Sequence, residues 1–338
     1  MNVLKFRYES VSIRGILIIY VCILPLLASC VRHDAKAMPC DVSIVRLDSI
    51  VRNVDTEEVG VLDNEYGKVL NRLRYLMTGD TLLSTDGFVR SYASSQAVRV
   101  FGPDVRRILP DLSEEERQIG IAFGHLAAMD STLILPDKIY GVVTPYSQSV
   151  MLIDSIIFVG LNHYLGADYA GYEGFENYKR IRKVPQRMAY DVVEALVRSR
   201  YPYGVPYDKA TALSRMQYEG AILYVMKHCF PGITYQELLG YSDSEMTWAE
   251  DNERRIWQEL AGRELLYSTD PSVSAKLVNP SANTNIINPS APGMTGRYVG
   301  YRIVEKYVEN HPEIHLTELL RPAFYSSAET LKNSGYRP

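Results

Sequence analysis

Residues Gly15 to Leu27 (GILIIYVCILPLL) form an apolar run that ends in Leu27-Ala28-Ser29-Cys30, and this junction limits what the chain can fold into. Lys5, Arg7 and Arg14 provide a positive flank before the run, as in a secretory signal. A membrane-spanning helix needs roughly 20 apolar residues; this run is shorter and contains Pro25. Small residues directly before a cysteine fit a narrow peptidase site and form a lipobox. The Cys30 thiol is the only good nucleophile there to carry a thioether-linked diacylglycerol. Each buried CH₂ of an acyl chain adds about 0.8 kcal/mol, so several chains anchor a protein without a spanning segment. The reading is an exported lipoprotein: residues 1–29 a signal peptide, 30–41 a lipidated tether, and 42–338 one globular domain.

The mature chain then has 309 of the 338 residues, room for one large domain. The full chain has a net charge of −4, and the signal, with Lys5, Arg7 and Arg14 against Glu9, carries a surplus of two positive charges. The remainder is mildly acidic with scattered charge, which argues against a nucleic-acid partner. The 25 tyrosines suit half-buried surface positions where the ring packs and the hydroxyl stays wet. Cys40 and Cys229 are the cysteines left after processing, apart from lipidated Cys30. No Cys-x-x-Cys spacing exists; an oxidising envelope would allow the two to pair, but Cys40 lies in the tether, which favours two unrelated thiols.

Periodicity divides the domain into a helical first third, a short sheet and a helical remainder. Val42 to Val51 alternates apolar and polar residues for several positions and reads as an extended strand or arm. Helical patterns cover about 60–78 and 84–98, and Ser113 with Glu116 forms a capping box for a third helix. Lys138 to Thr144, Ser149 to Ile153 and Ile156 to Val159 are β-branched and aromatic, and predict a small antiparallel meander. Helices follow at Met188 to Arg200 and Asp208 to His228. A long one capped by Ser242 and Glu245 reaches about Tyr267. Residues 268–294 are rich in Pro, Ser and Asn and read as one long loop before a helix from about Thr295 to Asn310. Gly296 and Gly300 have a spacing that signals close helix packing. The fold class is α+β, a mostly helical single domain with a small antiparallel sheet.

The residues offer no recognised catalytic set. His311 and His315 have a metal-ligand interval, but Pro312 lies between them. Gly-x-Ser-x-Gly and phosphate-binding glycine loops are absent. His163, at a strand end, has no serine that the sequence assigns to it. Glu219, beside Gly220 on an apolar helix, is read as facing inward, where a carboxylate needs a partner. Arg187, Arg297 and Arg302 are the arginines that can serve. The candidate polar site is Asp191, Glu219, Arg187, Arg297 and Tyr301, with no catalytic residue, metal ligand or cofactor assigned.

These motifs together resemble the gliding motility lipoprotein GldB family. The resemblance rests on Gly160-Leu161-Asn162-His163-Tyr164-Leu165-Gly166 with Asp168-Tyr169, then Arg187-Met188 with Asp191-Val192. It continues in Trp248, Asn252-Glu253, Ile256-Trp257 and Leu265-Leu266-Tyr267-Ser268-Thr269-Asp270, and closes with Ser290-Ala291-Pro292-Gly293 and Gly296-Arg297-Tyr298-Val299-Gly300-Tyr301. It implies a cell-envelope lipoprotein serving surface gliding, although relatives occur in bacteria that do not glide. A looser resemblance concerns the fold. A hairpin, a helix, then a helix bearing Glu-Gly is similar to zincin metallopeptidases, with Glu219 in the place of a third ligand. Both metal histidines and the catalytic glutamate are absent from the helix at 188–200, which implies a zincin-like scaffold without the metal site.

The leading functional expectation is a lipid-anchored, non-enzymatic scaffold or interaction protein with envelope-protein partners, in motility or secretion machinery. The alternatives are a peptide or glycan hydrolase using carboxylates such as Asp191 and Glu219, and a glycan- or small-ligand-binding protein. Val31 after Cys30 lacks the aspartate associated with inner-membrane retention, and no acidic surface-export cluster follows. The expected location is therefore the outer membrane, facing the periplasm.

Overall fold

The computed structural model describes residues 37–54, 59–80 and 82–338. Residues 38–338 form one unit, and Cys30 with its flanking signal lies outside the described residues. No described helix is long and apolar enough to cross a membrane.

Among the described residues, sixteen α-helices accompany a four-stranded sheet. The helices are α1 (Leu47–Asn53), α2 (Val59–Thr78), α3 (Thr85–Ala93), α4 (Gln96–Ile108), α5 (Ser113–Met129), α6 (Asn177–Arg180), α7 (Arg187–Arg200) and α8 (Ala212–Cys229). They continue as α9 (Tyr235–Leu239), α10 (Asp243–Asp251), α11 (Glu253–Gly262), α12 (Pro271–Val278), α13 (Thr295–Asn310), α14 (Leu316–Leu319), α15 (Pro322–Tyr325) and α16 (Ala328–Ser334). The strands are β1 (Ser43–Val45), β2 (Lys138–Val142), β3 (Val150–Ile153) and β4 (Ile156–Gly160), in the order β1-β2-β4-β3.

The sheet is mixed, which corrects the expected antiparallel meander. β1 runs parallel to β2 with Ile44 opposite Ile139, and β2 runs parallel to β4 with Tyr140 opposite Phe158. Only β3 and β4 form the antiparallel hairpin. Asp154 and Ser155 join them, both at positive φ, as a two-residue primed turn requires. β4 is buried at every position, which suits a central strand covered on both faces. The strand or arm expected over Val42 to Val51 is a strand at Ser43–Val45, followed by helix α1. Leu47 and Val51 recur at helical spacing, and Arg46 ties the junction by pairing with Asp48 at 2.9 Å and donating to the Leu109 carbonyl at 2.7 Å.

Other boundaries move for local reasons. The pattern at 84–98 is two helices, because Ser84 caps α3 and Ser95 caps α4. Ser113 and Glu116 do not form a capping box; Glu116 accepts from the backbone N–H of Ile44 at 2.7 Å and so binds α5 to β1. The box of Ser242 and Glu245 is present, but its helix breaks at Asn252, whose side chain donates to the Trp248 carbonyl at 2.8 Å. Residues 268–294 include α12, started by Asp270 as cap and Pro271 in the first turn. Met38 and Cys40 lie against α5, where Gly120 and Gly124 leave room for their carbonyls. Cys40 and Cys229 are separate free thiols.

The deepest packing is the crossing of α8 and α13. A Cβ on Gly220 would lie 2.2 Å from the Gly300 carbonyl carbon, and one on Gly300 would lie 1.9 Å from the Met216 oxygen. The two backbones therefore touch. On α12, Leu277 likewise sits where a Cβ on Gly296 would go. Ile222, Leu223, Val225 and Met226 of α8 are fully buried, each contributing about 1.5–3 kcal/mol. Because a backbone atom and not a flexible side chain obstructs the added methyl, Gly300→Ala is expected to cost about 3 kcal/mol or to prevent folding. Urea unfolding checks this; a loss below about 0.5 kcal/mol would contradict backbone contact at the crossing.

Candidate functional site

The end of β4 builds one wall of a cavity of about 840 Å³. Gly160 ends the strand where no side chain fits, since a Cβ there would lie 2.7 Å from Thr144 and 2.8 Å from the His163 ring. Asn162 then ties the ends of β2 and β4 together. Its carboxamide accepts from the Thr144 N–H at 3.0 Å and donates to the Thr144 carbonyl at 2.9 Å. The Asn162 carbonyl accepts from the Tyr172 hydroxyl at 2.5 Å. Gly166, at φ 105°, turns the chain and donates its N–H to the Lys183 carbonyl at 2.9 Å. That bond places Lys183 beside His163.

His163 is buried and held from both sides. Its Nε2 lies 2.9 Å from the Tyr146 carbonyl and its Nδ1 lies 2.8 Å from the Lys183 Nζ. An ammonium only donates, so Nδ1 accepts and Nε2 carries the proton given to Tyr146. Burial, the Lys183 charge second, pushes the imidazole down to about 4. His163 is therefore neutral at physiological pH and engaged at both nitrogens.

Helices α7 and α8 provide the acidic groups. Asp191 Oδ2 accepts from the buried Tyr164 hydroxyl at 3.0 Å, and Oδ1 faces Arg187 Nη2 at 3.3 Å. Arg187 also donates to the Glu237 carbonyl at 2.9 Å and covers the Tyr190 ring at 4.2 Å. Burial raises the Asp191 carboxyl above the usual range, against the pull of Arg187 and Arg182. Glu194, one turn on, receives Arg198 Nη2 at 2.7 Å and Arg297 Nη2 at 3.0 Å. Glu219 receives the same Arg198 at 3.1 and 2.6 Å and faces Arg297 Nε at 3.3 Å. Burial opposes ionisation of both glutamates, and the two guanidiniums more than reverse it, so both lie below the usual range. Two carboxylates and two arginines thus form a closed four-membered cluster.

Of the candidate polar residues, Asp191, Glu219 and Arg297 line this cavity, and Arg187 backs it through Asp191. Tyr301 stands elsewhere: its hydroxyl donates to Glu305 at 3.1 Å and accepts from Lys227 at 3.0 Å, among Tyr224 and Tyr235. Arg302 pairs with Glu253 and Glu305, not with Glu219. Sequence reasoning missed Arg198, although its i, i+4 spacing from Glu194 is a usable signal. It also missed Arg182 and Lys183, which lie in an irregular segment without periodicity. His311 bonds to the Tyr307 carbonyl and His315 to Thr317, so neither faces the cavity.

A zinc ion does not fit this donor set. Among the described residues no group of three His, Cys, Asp or Glu side chains could hold a metal. Positive guanidinium groups already occupy the oxygens of Glu194 and Glu219.

Two outcomes are expected. Arg297→Met leaves Glu194 and Glu219 sharing one arginine and should cost about 3–5 kcal/mol, with part recovered on adding Glu219→Gln. Equal, additive losses in a double-mutant cycle would refute the coupling. His163 gives a pH signature. Unfolded, it protonates near 6.5, and folded only near 4, so the unfolded chain binds more protons between those values. The stability contributed by neutral His163 is complete above about 6.5 and falls by about 3 kcal/mol as pH drops to 4. Asp191, being raised, acts in the opposite sense. Comparison of denaturation across pH with His163→Gln therefore isolates the histidine; an unchanged slope in the variant would contradict a buried neutral ring.

The family model of the gliding motility protein GldB matches residues 29–338, nearly the whole chain. No curated protein and no solved structure matches it. The chain belongs to the GldB family of gliding motility proteins.

Proposed function

We propose that this member of the GldB family is a lipid-anchored protein of the cell envelope that works by binding and not by catalysis. The observation that carries the binding reading is the closed state of the cavity's reactive groups. Glu194 and Glu219 are each held by Arg198 and Arg297, and Asp191 is held by Arg187 and Tyr164. A general base needs a lone pair facing its substrate, and His163 has both ring nitrogens engaged. These contacts weigh against a hydrolase built on Asp191 and Glu219. They suit a rigid frame that presents a fixed pattern of charge. The zincin-like reading takes the same form: α7 and α8 keep a helix pair bearing inward carboxylates, and arginine supplies the positive charge.

Anchoring at Cys30 follows from the lipobox, and the family match begins at residue 29, so Cys30 falls within the family's extent. The location is the outer membrane on its periplasmic face, with other envelope proteins as partners in motility or secretion machinery. A metabolically supplied alkyne fatty acid should label the wild-type protein in the membrane fraction. Cys30→Ser should lose the label and accumulate as the longer precursor. A labelled, normally processed Cys30→Ser protein would overturn the anchor. Crosslinking followed by purification from membranes tests the partner reading, which fails if no envelope protein is enriched over a soluble Cys30→Ser chain lacking residues 1–29.

A further inference from the structure

The cavity contains more positive charge than its carboxylates use. Arg182, Lys183, Arg198 and Arg297 line it with Asp191, Glu194 and Glu219, and Arg187 backs Asp191, while the sixth cation, Lys179, pairs with Glu176. Arg187, Arg198 and Arg297 account for the three acids. Arg182 and Lys183 do not: among the described residues neither has a carboxylate within ion-pair distance. Among the described residues, Arg182 donates to the Met294 sulfur, at 3.6 Å. Lys183 donates to neutral His163 and lies 5.1 Å from the centres of the Tyr172 and Phe175 rings.

Both cations bear the cost of this burial. Arg182 is pushed down to about 10, by desolvation first and by Arg187 and Arg297 next, with Asp191 and Glu194 acting in the other direction. Desolvation also lowers Lys183. Behind the lining, Arg187 covers Tyr190. The Tyr190 hydroxyl is buried without a hydrogen-bond partner, in the field of Glu194, Arg187, Arg297 and Arg182. Buried donors without acceptors are uncommon in folded proteins, and a surplus of two charges in a concave site is satisfied by a dianion.

We propose that the cavity binds a phosphate monoester, with Arg182 and Lys183 holding the phosphate and the aromatic wall holding the group it esterifies. The guanidinium fork suits two phosphate oxygens and the ammonium acts as a point charge on a third. A carboxylate ligand would neutralise only one of the two charges. The remainder of the cavity explains why free phosphate is not the whole ligand. Tyr146 and Phe175 are 37% and 45% exposed on its rim, with Tyr178, Ser147 and Asn279 beside them. About 840 Å³ holds a drug-sized molecule and far exceeds one phosphate. The phosphate can come from a lipid headgroup or a soluble phosphorylated compound, and the same residues would recognise either. This site stands independently of the Cys30 anchor.

The test uses the chain from residue 38 with phenyl phosphate, inorganic phosphate and benzoate as probes in titration calorimetry. Phenyl phosphate should bind at least about tenfold more tightly than inorganic phosphate, and benzoate more weakly than either. Lys183→Met and Arg182→Met should each weaken phenyl phosphate at least about tenfold while the far-ultraviolet dichroism stays that of the wild type. Should Arg182→Met fail to fold, Lys183→Met decides. No heat with phenyl phosphate up to about 10 mM, or equal affinity in a folded Lys183→Met, would overturn the proposal. Phosphatidylcholine vesicles with and without phosphatidic acid separate the sources. Displacement of phenyl phosphate by the phosphatidic acid vesicles alone supports a lipid headgroup, and no displacement supports a soluble phosphate ester.

Discussion

The contact between Gly220 and Gly300 is the constraint on which the rest depends. Helices with ordinary side chains keep their axes about 8–10 Å apart, but here a single added methyl would fall 1.9 Å from the Met216 oxygen. Close approach fixes both the rotation and the register of α8 against α13. Glu219 immediately precedes one glycine, and Arg297 lies three residues before the other. The same crossing that excludes side chains therefore brings a buried carboxylate to a buried guanidinium. Specific packing and specific charge placement have one origin here.

The charged cluster carries a cost that the crossing makes bearable. Isolated buried carboxylates are expensive, and a buried pair seldom stabilises more than a well-packed apolar replacement would. What the cluster gains is definition. Arg198 bridges Glu194 on its own helix to Glu219 on the next, and Arg297 reaches both from a third. Asn162 and Tyr172 do the same for the strand ends, each by hydrogen bonds to backbone. The cavity is thus walled by groups whose own positions are over-determined. Such a wall can present two unsatisfied cations to a ligand without collapsing on them.

Much of this was legible in the residues, with losses where pairing is non-local. The hairpin, the main helices, the inward-facing Glu219 and the close packing signalled by Gly296 and Gly300 followed from period and spacing. The parallel partners of the sheet did not, because alternation gives no strand direction and β1 has only three residues. Tyrosine was misread for a related reason. Composition favoured half-exposed rings, whereas Tyr164, Tyr172, Tyr298, Tyr301 and Tyr325 are fully buried. Some of their hydroxyls bond to groups far along the chain, as Tyr301 does with Lys227 at 3.0 Å and Tyr325 with the Gly204 N–H at 2.8 Å. Arg182 and Lys183 sit where no period exists, so only three-dimensional contact separates them from the many surface cations.

The central claim is that α8 and α13 form one indivisible structural unit that holds the cavity. Native-state hydrogen exchange in graded denaturant tests it most directly. Amides of α8 and α13 around the glycine contact should exchange only through global unfolding, with a common free energy and the full denaturant dependence. If α13 exchanges through a smaller opening while α8 stays protected, the crossing is not the element on which the fold and its charged cavity rest.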